Sequence, residues 1–115
     1  MIHRLFVYGT LAPGRPNEHI LAGIAGKWEP ATVTGRLLQA GWGAAVGYPG
    51  IILDGDGSQV AGFLFSAGGL TDHWGRLDAF EGDGYERVLT TVTRMDGTTV
   101  KAYVYQLSGD DPAGD

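Results

Sequence analysis

Short apolar runs alternate with polar, glycine-rich segments along this 115-residue chain. The run from Ile2 to Tyr8 is rich in β-branched, aromatic and large residues, and it predicts a strand that ends where Gly9 relaxes the restriction on φ. From Ala31 to Leu38, apolar and polar residues alternate with the period of a half-buried strand. The segment from Gly41 to Gly50 has too many glycines for a helix, and we assign it no element.

Two hairpins are predicted in the second half of the chain. The runs Ile51 to Leu53 and Gln59 to Phe65 flank an Asp-Gly-Asp-Gly sequence, which tolerates the positive φ angles that tight hairpin turns require. The runs Tyr85 to Arg94 and Thr98 to Leu107 flank a Met-Asp-Gly sequence and contain several valines. Each pair of runs is therefore expected to form two adjacent antiparallel strands.

Two short helices are also predicted. Asn17 can cap the first helix, and Gly26 is placed to end it. The second helix is expected from Thr71 to Phe80, with Thr71 as its cap, because Trp74 and Leu77 continue an apolar stripe at helical spacing. Short strands with two brief helices cannot cover both faces of a parallel sheet. The pattern therefore predicts an α+β fold with a curled, barrel-like mixed sheet.

The length of the chain fits one domain with a single sizeable core. We place this domain at residues 1–107 and expect residues 108–115, which are polar and contain Gly and Pro, to form a C-terminal tail. The eight basic and thirteen acidic residues give a net charge of −5, without a cluster of Lys and Arg. Nucleic acid and anionic membranes are therefore poor candidate partners.

The chain has no cysteine, which excludes a disulfide framework, a thiol nucleophile and a zinc-thiolate site. His3 and Arg4 interrupt the first apolar run, so it does not predict a signal peptide, and no run approaches membrane-spanning length. We therefore expect a soluble, cytoplasmic protein. The oligomeric state is not predicted, since the pattern identifies no strongly apolar exposed face.

Nucleotide and metal sites are disfavoured. The glycine spacing after the first strand is that of a phosphate-binding loop, but Arg15 and Pro16 stand where that motif requires Lys and Ser or Thr. The histidines are scattered without a paired ligand spacing, so no metal site is expected.

Three motifs in order carry a family resemblance. They are Phe6-Val-Tyr-Gly-Thr-Leu11, then Leu77-Asp-Ala-Phe-Glu-Gly82, then Tyr85-x-Arg87. Together they resemble the γ-glutamylcyclotransferase-like family, which includes the γ-glutamylamine cyclotransferases and the plant AIG2-like proteins. The resemblance implies a small mixed β-barrel flanked by short helices, with a cavity between the first loop and the helix that ends near Glu81.

The same resemblance implies a function and a set of site residues. The function is a cofactor-free acyl transfer in which the α-amine of a γ-glutamyl group attacks its own side-chain carbonyl, closing 5-oxoproline and releasing an amine or amino acid. Glu81 would be the catalytic proton acceptor. The loop residues that would bind the substrate are Tyr8, Gly9, Thr10 and Leu11. Tyr105 is a candidate for lining the cavity, and Tyr85 is a weaker one that with Arg87 would position the strand and the helix end.

This chemistry agrees with the residues themselves. An α-ammonium group must lose a proton before it can attack, and one carboxyl group can remove that proton and later protonate the departing amine. A partly apolar site would raise the pKa of Glu81 toward neutrality, and neighbouring Asp78 could raise it further by like-charge repulsion. Backbone N–H groups near Gly9 and Thr10 suit a substrate carboxylate or a developing oxyanion.

Alternatives remain open for each of these residues. Glu81 could be a solvated residue at a helix end, and Asp78 a surface acid. Gly9 could only end the strand, and Tyr8 could be a core aromatic with its hydroxyl satisfied. For the whole chain, the alternative function is a non-catalytic module on the same fold that binds a small molecule or a partner.

Overall fold

Six strands and two helical segments form the described part of the molecule. The computed structural model describes residues 3–8, 21, 23–38, 50–81 and 84–107, and at Glu81 it describes the backbone. The strands are β1 Arg4–Val7, β2 Lys27–Leu38, β3 Gly50–Leu53, β4 Ser58–Ser66, β5 Tyr85–Arg94 and β6 Thr99–Leu107. A 3-10 helix, Gly68–Asp72, precedes an α-helix, α1, Trp74–Glu81.

The strands form one sheet that closes on itself. The order is β1-β4-β2-β3-β6-β5, and the additional pairings of β1 with β6 and of β2 with β5 close β1, β4, β2, β5 and β6 into a barrel. Within the barrel, β5 pairs with β6 along its length and with β2 at Ala31 and Thr32, and the extra strand, β3, pairs with the end of β2. The pairings β1–β6 and β3–β6 are parallel and the others are antiparallel. The predicted α+β fold with a small mixed barrel is confirmed.

Buried side chains lie on both faces of the sheet. One cluster takes at least one residue from every strand and fills the barrel; its members include Phe6, Leu64 and Val104. Their chain neighbours Leu5, Phe65 and Tyr105 belong to a second cluster that also contains Leu70 and Leu77 of the helical segments. Successive residues of a strand face opposite sides. The helices therefore cover the outer face of strands whose other face lines the interior.

The first predicted hairpin is wrong. β3 and β4 do not pair side by side; both run antiparallel to β2, on its opposite edges. β3 pairs with β2 from Leu38 to Gly35, and β4 continues from Gly35 onward. The Asp54 carboxylate accepts the Asp56 N–H at 2.9 Å, as its turn sequence suggests. The turn thus carries the chain across β2, and the direction of the chain is the same in β3 and β4.

The second predicted hairpin is confirmed. β5 and β6 pair from Tyr85 opposite Leu107 to Thr93 opposite Thr99. Gly97 takes a φ of +87° in the turn, which favours glycine. Asp96 accepts the Thr98 hydroxyl at 2.6 Å and the Thr98 N–H at 2.9 Å. These hydrogen bonds stabilise the carboxylate and lower the pKa of Asp96 below its ordinary value.

Two element boundaries differ from the prediction by three residues or more. Instead of one helix that starts at Thr71, the 3-10 helix ends at Asp72 and α1 starts at Trp74. The Thr71 hydroxyl lies 2.7 Å from Nδ1 of His3, so it ties the helical segment to the start of β1. β2 begins at Lys27, four residues before the predicted start, because it pairs along β4 as far as Ser66.

Some predicted elements lie largely or wholly outside the described residues. These are the helix after Asn17, of which Leu21 and Ile24 are described and buried, and the tail at 108–115. Among the helices that are described, none is long and apolar enough to cross a membrane.

The Tyr8 hydroxyl closes the barrel where β1, β3 and β6 meet. It accepts the backbone N–H of Ile51 at 3.1 Å and donates to the carbonyl oxygen of Tyr105 at 2.5 Å. Nearby, Oε1 of Gln106 accepts the N–H of Leu53 at 3.3 Å. Side chains thus satisfy backbone groups of β3 at the junction where its pairing with β6 is short.

Replacing Gly57 by Ala should destabilise the fold. A Cβ on Gly57 would lie 2.4 Å from the carbonyl oxygen of Gly35, at the point where the chain crosses β2. Both contacting groups are backbone, so relief requires the crossing to open. We expect a loss of about 1–3 kcal/mol in the free energy of unfolding, measured by urea denaturation. Gly55→Ala is the control, because nothing lies within 4 Å of its added Cβ; equal stability of the two variants would contradict the crossing.

Replacing Tyr8 by Phe should weaken the barrel closure. The change deletes one hydroxyl and leaves the Ile51 N–H and the Tyr105 carbonyl without that partner. We expect a loss of about 1–3 kcal/mol in the free energy of unfolding. Tyr103→Phe provides the matched control, since no hydrogen bond from its hydroxyl is found among the described residues. A loss no greater than that of the control would argue against the hydroxyl as a closing contact.

Candidate functional site

The ends of β1 and β6 and the beginnings of β3 and β5 meet at one end of the barrel, which we call the site end. β1 and β6 are parallel, so Tyr8, which follows β1, lies beside the last residues of β6. Gly50, the first residue of β3, packs so closely on Leu107 that a Cβ there would collide with the leucine side chain. Leu107 in turn pairs with Tyr85, the first residue of β5. The site end therefore gathers the residues that flank the first loop, the segment before β3 and the end of α1.

The α1 helix is fixed to the sheet through Asp78. One oxygen of its carboxylate accepts the Tyr105 hydroxyl at 2.6 Å and Nε of Arg87 at 3.0 Å. The other oxygen accepts Nη2 of Arg87 at 3.3 Å. A two-pronged contact between guanidinium and carboxylate fixes direction as well as distance. Residues of β5 and β6 thus hold the helix one turn before Glu81, its last residue.

Arg87 is itself held between two aromatic rings. Its guanidinium carbon lies 4.6 Å from the centre of the Trp74 ring and 4.9 Å from that of Tyr103. The two rings also meet edge to face at 5.1 Å. An exposed ion pair alone contributes about 0–1 kcal/mol, but ring stacking and bidentate geometry reduce the freedom of this arginine. The Arg87 side chain is 25% exposed, against 45% for Asp78.

Tyr105 links the first loop to the helix. Its backbone carbonyl accepts the Tyr8 hydroxyl, and its own hydroxyl donates to Asp78. The side chain is 3% exposed and packs among Leu70 and Leu77. One residue of β6 therefore contacts both the residue that precedes the predicted substrate loop and the helix that carries the predicted base.

The structure describes some of the predicted site residues. Tyr8, Tyr85 and Tyr105 all lie at the site end, and the backbone of Glu81 ends α1. The predicted loop residues Gly9, Thr10 and Leu11 lie outside the described residues. The roles of all seven residues stay predictions.

The sequence did not identify the contacts of Asp78. Its carboxylate was considered as a surface acid or as a like charge beside Glu81, whereas the structure pairs it with Arg87 and Tyr105. One signal was available in the sequence. Asp96 lies at the centre of the predicted hairpin turn, and Arg87 and Tyr105 are each nine residues from it. They are therefore expected to face each other across the hairpin, as the strand register shows. The stacking of Trp74 and Tyr103 on Arg87 had no such signal.

Metal ligands do not gather in this region. Within the described ranges, no three His, Cys, Asp or Glu residues are grouped so that they could hold a metal ion. The described carboxylate of Asp78 is instead paired with Arg87.

Comparisons with known proteins identify the family and the fold. A sequence profile described as gamma-glutamyl cyclotransferase, AIG2-like, matches residues 5–115. No curated protein sequence matches the chain at a significant level. YkqA from Bacillus subtilis is 30% identical with a TM-score of 0.72, and the match covers 94% of this chain but only 36% of YkqA. An AIG2-like protein from Mus musculus is 24% identical with a TM-score of 0.74, covering 97% of this chain and 81% of that one.

The same fold also occurs inside a larger enzyme. The allophanate hydrolase of Kluyveromyces lactis is 20% identical with a TM-score of 0.60, and the match covers 92% of this chain and 18% of the hydrolase. This likeness concerns the fold alone. The profile match, by contrast, extends over nearly the whole sequence and includes every motif named above. The chain belongs to the gamma-glutamyl cyclotransferase, AIG2-like family.

Proposed function

We propose that the protein is a γ-glutamyl cyclotransferase with Glu81 as its general base and acid. The substrate class is a γ-glutamyl amine, amide or amino-acid conjugate, and the products are 5-oxoproline and a free amine. The family match over residues 5–115 supports the reaction class. No cofactor enters the proposed reaction.

The observation that carries the proposal is the series of hydrogen bonds that links Tyr8 to α1 through Tyr105. Tyr8 precedes the predicted substrate loop, and its hydroxyl bonds to Tyr105, whose own hydroxyl bonds to α1. Glu81 stands four residues before Tyr85 at the site end. Four residues span at most about 14 Å, so the backbone of Glu81 lies within that distance of Tyr85 at the site end.

The proposed reaction needs one proton carrier and one anion site. The Glu81 carboxylate takes a proton from the α-ammonium group, and the freed nitrogen attacks the γ-carbonyl carbon. Backbone N–H groups of Gly9, Thr10 and Leu11 hold the resulting oxyanion or the substrate carboxylate. When the tetrahedral intermediate collapses, the bond to the leaving nitrogen breaks and Glu81 returns its proton to that nitrogen. The attacking nitrogen gives up its second excess proton to solvent, and the released amine takes up a proton and leaves as an ammonium ion. Because nucleophile and carbonyl belong to one molecule, the site mainly has to hold a reactive rotamer.

Apolar surroundings are a better explanation for an active Glu81 than repulsion by Asp78. The Arg87 guanidinium contacts both oxygens of Asp78 and offsets its charge. We therefore attribute the proposed proton affinity of Glu81 to desolvation.

The alternative function is a non-catalytic module that binds a small molecule or partner. The two functions differ in one observable, since only an enzyme produces 5-oxoproline.

Glu81→Gln should abolish turnover. The protein is incubated with a panel of γ-glutamyl amines, amides and dipeptides, and 5-oxoproline is measured by mass spectrometry. Loss of a general base typically costs about 10²–10⁴-fold in rate. The control is Asp72→Asn, which makes the same carboxylate-to-amide change at an exposed residue of the 3-10 helix and should keep full activity.

Two results would reject the proposal. One is the absence of 5-oxoproline across the whole panel, which would favour the binding module. The other is equal turnover of the wild type and Glu81→Gln, which would require a different base.

A further inference from the structure

We propose that Tyr105 is a positioning residue that fixes the end of α1 relative to the first loop. The inference rests on the proposed function, because the two parts that it aligns are those of the proposed base and the proposed substrate loop. It assigns Tyr105 a role different from lining the cavity. The role uses both its backbone and its side chain.

The backbone of Tyr105 fixes the loop side. Its carbonyl accepts the Tyr8 hydroxyl at 2.5 Å, and that hydroxyl also accepts the Ile51 N–H. Tyr8 is the last described residue before the predicted substrate loop. The start of the loop is therefore tied to β6 as well as to β1.

The side chain of Tyr105 fixes the helix side. Its hydroxyl donates to Asp78 at 2.6 Å, on the same carboxylate oxygen that Arg87 Nε contacts. The helix is short, with eight residues from Trp74 to Glu81, and a helix of this length depends on tertiary contacts for its stability. The contacts at Asp78 lie three residues before Glu81 and hold the turn in which the helix ends.

The burial of Tyr105 agrees with a positioning role. The side chain is 3% exposed and packs in the layer between the sheet and the helical segments, with Leu70 and Leu77. Its ladder partner on β5 is Arg87, the other donor to Asp78. Adjacent strands thus present two donors to one acceptor on the helix.

The expected consequence is an effect on rate without a matching effect on binding. A shift of about 1 Å between reacting groups can cost about 10²-fold in rate. If the hydroxyl of Tyr105 aligns Glu81, its removal should lower kcat while the loop keeps its contacts to substrate.

The test compares Tyr105→Phe with Tyr103→Phe on the same strand. Both changes delete one hydroxyl and keep the ring; in the described residues, the Tyr103 hydroxyl makes no hydrogen bond whereas that of Tyr105 holds Asp78. Two quantities are measured for each variant. The first is the hydrogen exchange of the backbone amides of residues 77–81, without substrate. The second is kcat and KM for 5-oxoproline formation, normalised to folded protein by urea titration.

For Tyr105→Phe we expect about tenfold faster exchange at residues 77–81, as for the loss of one hydrogen bond. We also expect a kcat lower by about tenfold, with KM changed less than twofold. Tyr103→Phe should leave both quantities near wild type. Arg87→Lys keeps the charge but loses the two-pronged geometry, so it should show the same pattern as Tyr105→Phe. It replaces Tyr105→Phe in the test if Tyr105→Phe does not fold.

The proposal is overturned if exchange at residues 77–81 is unchanged in Tyr105→Phe, or if Tyr103→Phe shows an equal effect. A parallel rise in KM, or unchanged kcat after normalisation, would also overturn it. The proposed function fails separately. If the wild type makes no 5-oxoproline while exchange still rises in Tyr105→Phe, the helix contact stands and the reaction is wrong.

Discussion

The structure depends on hydrogen-bond partners for the backbone N–H groups of β3 at the place where β1, β3 and β6 meet. The pairing of β3 with β6 is too short to provide all of them. β3 pairs with β6 at Ile51 opposite Gln106, and its neighbouring N–H groups need partners from elsewhere. Tyr8 and Gln106 supply oxygens to them. A buried backbone N–H without a partner costs about 1–3 kcal/mol, so these side chains stabilise β3 in its place beside β1 and β6. The parallel pairing of β1 with β6 determines which strand ends lie together at the site end.

Local chemistry predicted one hairpin correctly and the other wrongly, for a physical reason. Both turns contain Asp-Gly, and in both an Asp carboxylate accepts a hydrogen bond from the backbone N–H two residues later. The hairpin at Asp96 follows from that turn because its strands then pair with each other. At Asp54 the two strands pair with opposite edges of β2 instead. That choice depends on Gly57 passing over Gly35, a contact between distant segments that no local pattern contains.

The candidate site was likewise predictable only in part from the sequence. The motifs named Glu81 and the loop after Tyr8, and the apolar stripe of Trp74 and Leu77 indicated a helix that carries the glutamate. What holds that helix was not predictable from its own sequence. Asp78 contacts residues of β5 and β6, and the aromatic rings around Arg87 come from a helix and a strand. Such contacts appear only when the strand register and the helix position are both known.

The parallel pairing of β1 with β6 has a practical consequence for adding polypeptide to this domain. Polypeptide that continues past Leu107 leaves the barrel beside Tyr8, whereas polypeptide that precedes Arg4 joins at the opposite end. A purification tag or fused reporter ahead of β1 therefore attaches at the end of the barrel away from Tyr8, while one placed behind β6 attaches at the site end. This chain matches 36% of the length of YkqA, so in a protein of that length the side on which the extra sequence attaches decides which end of the barrel it neighbours.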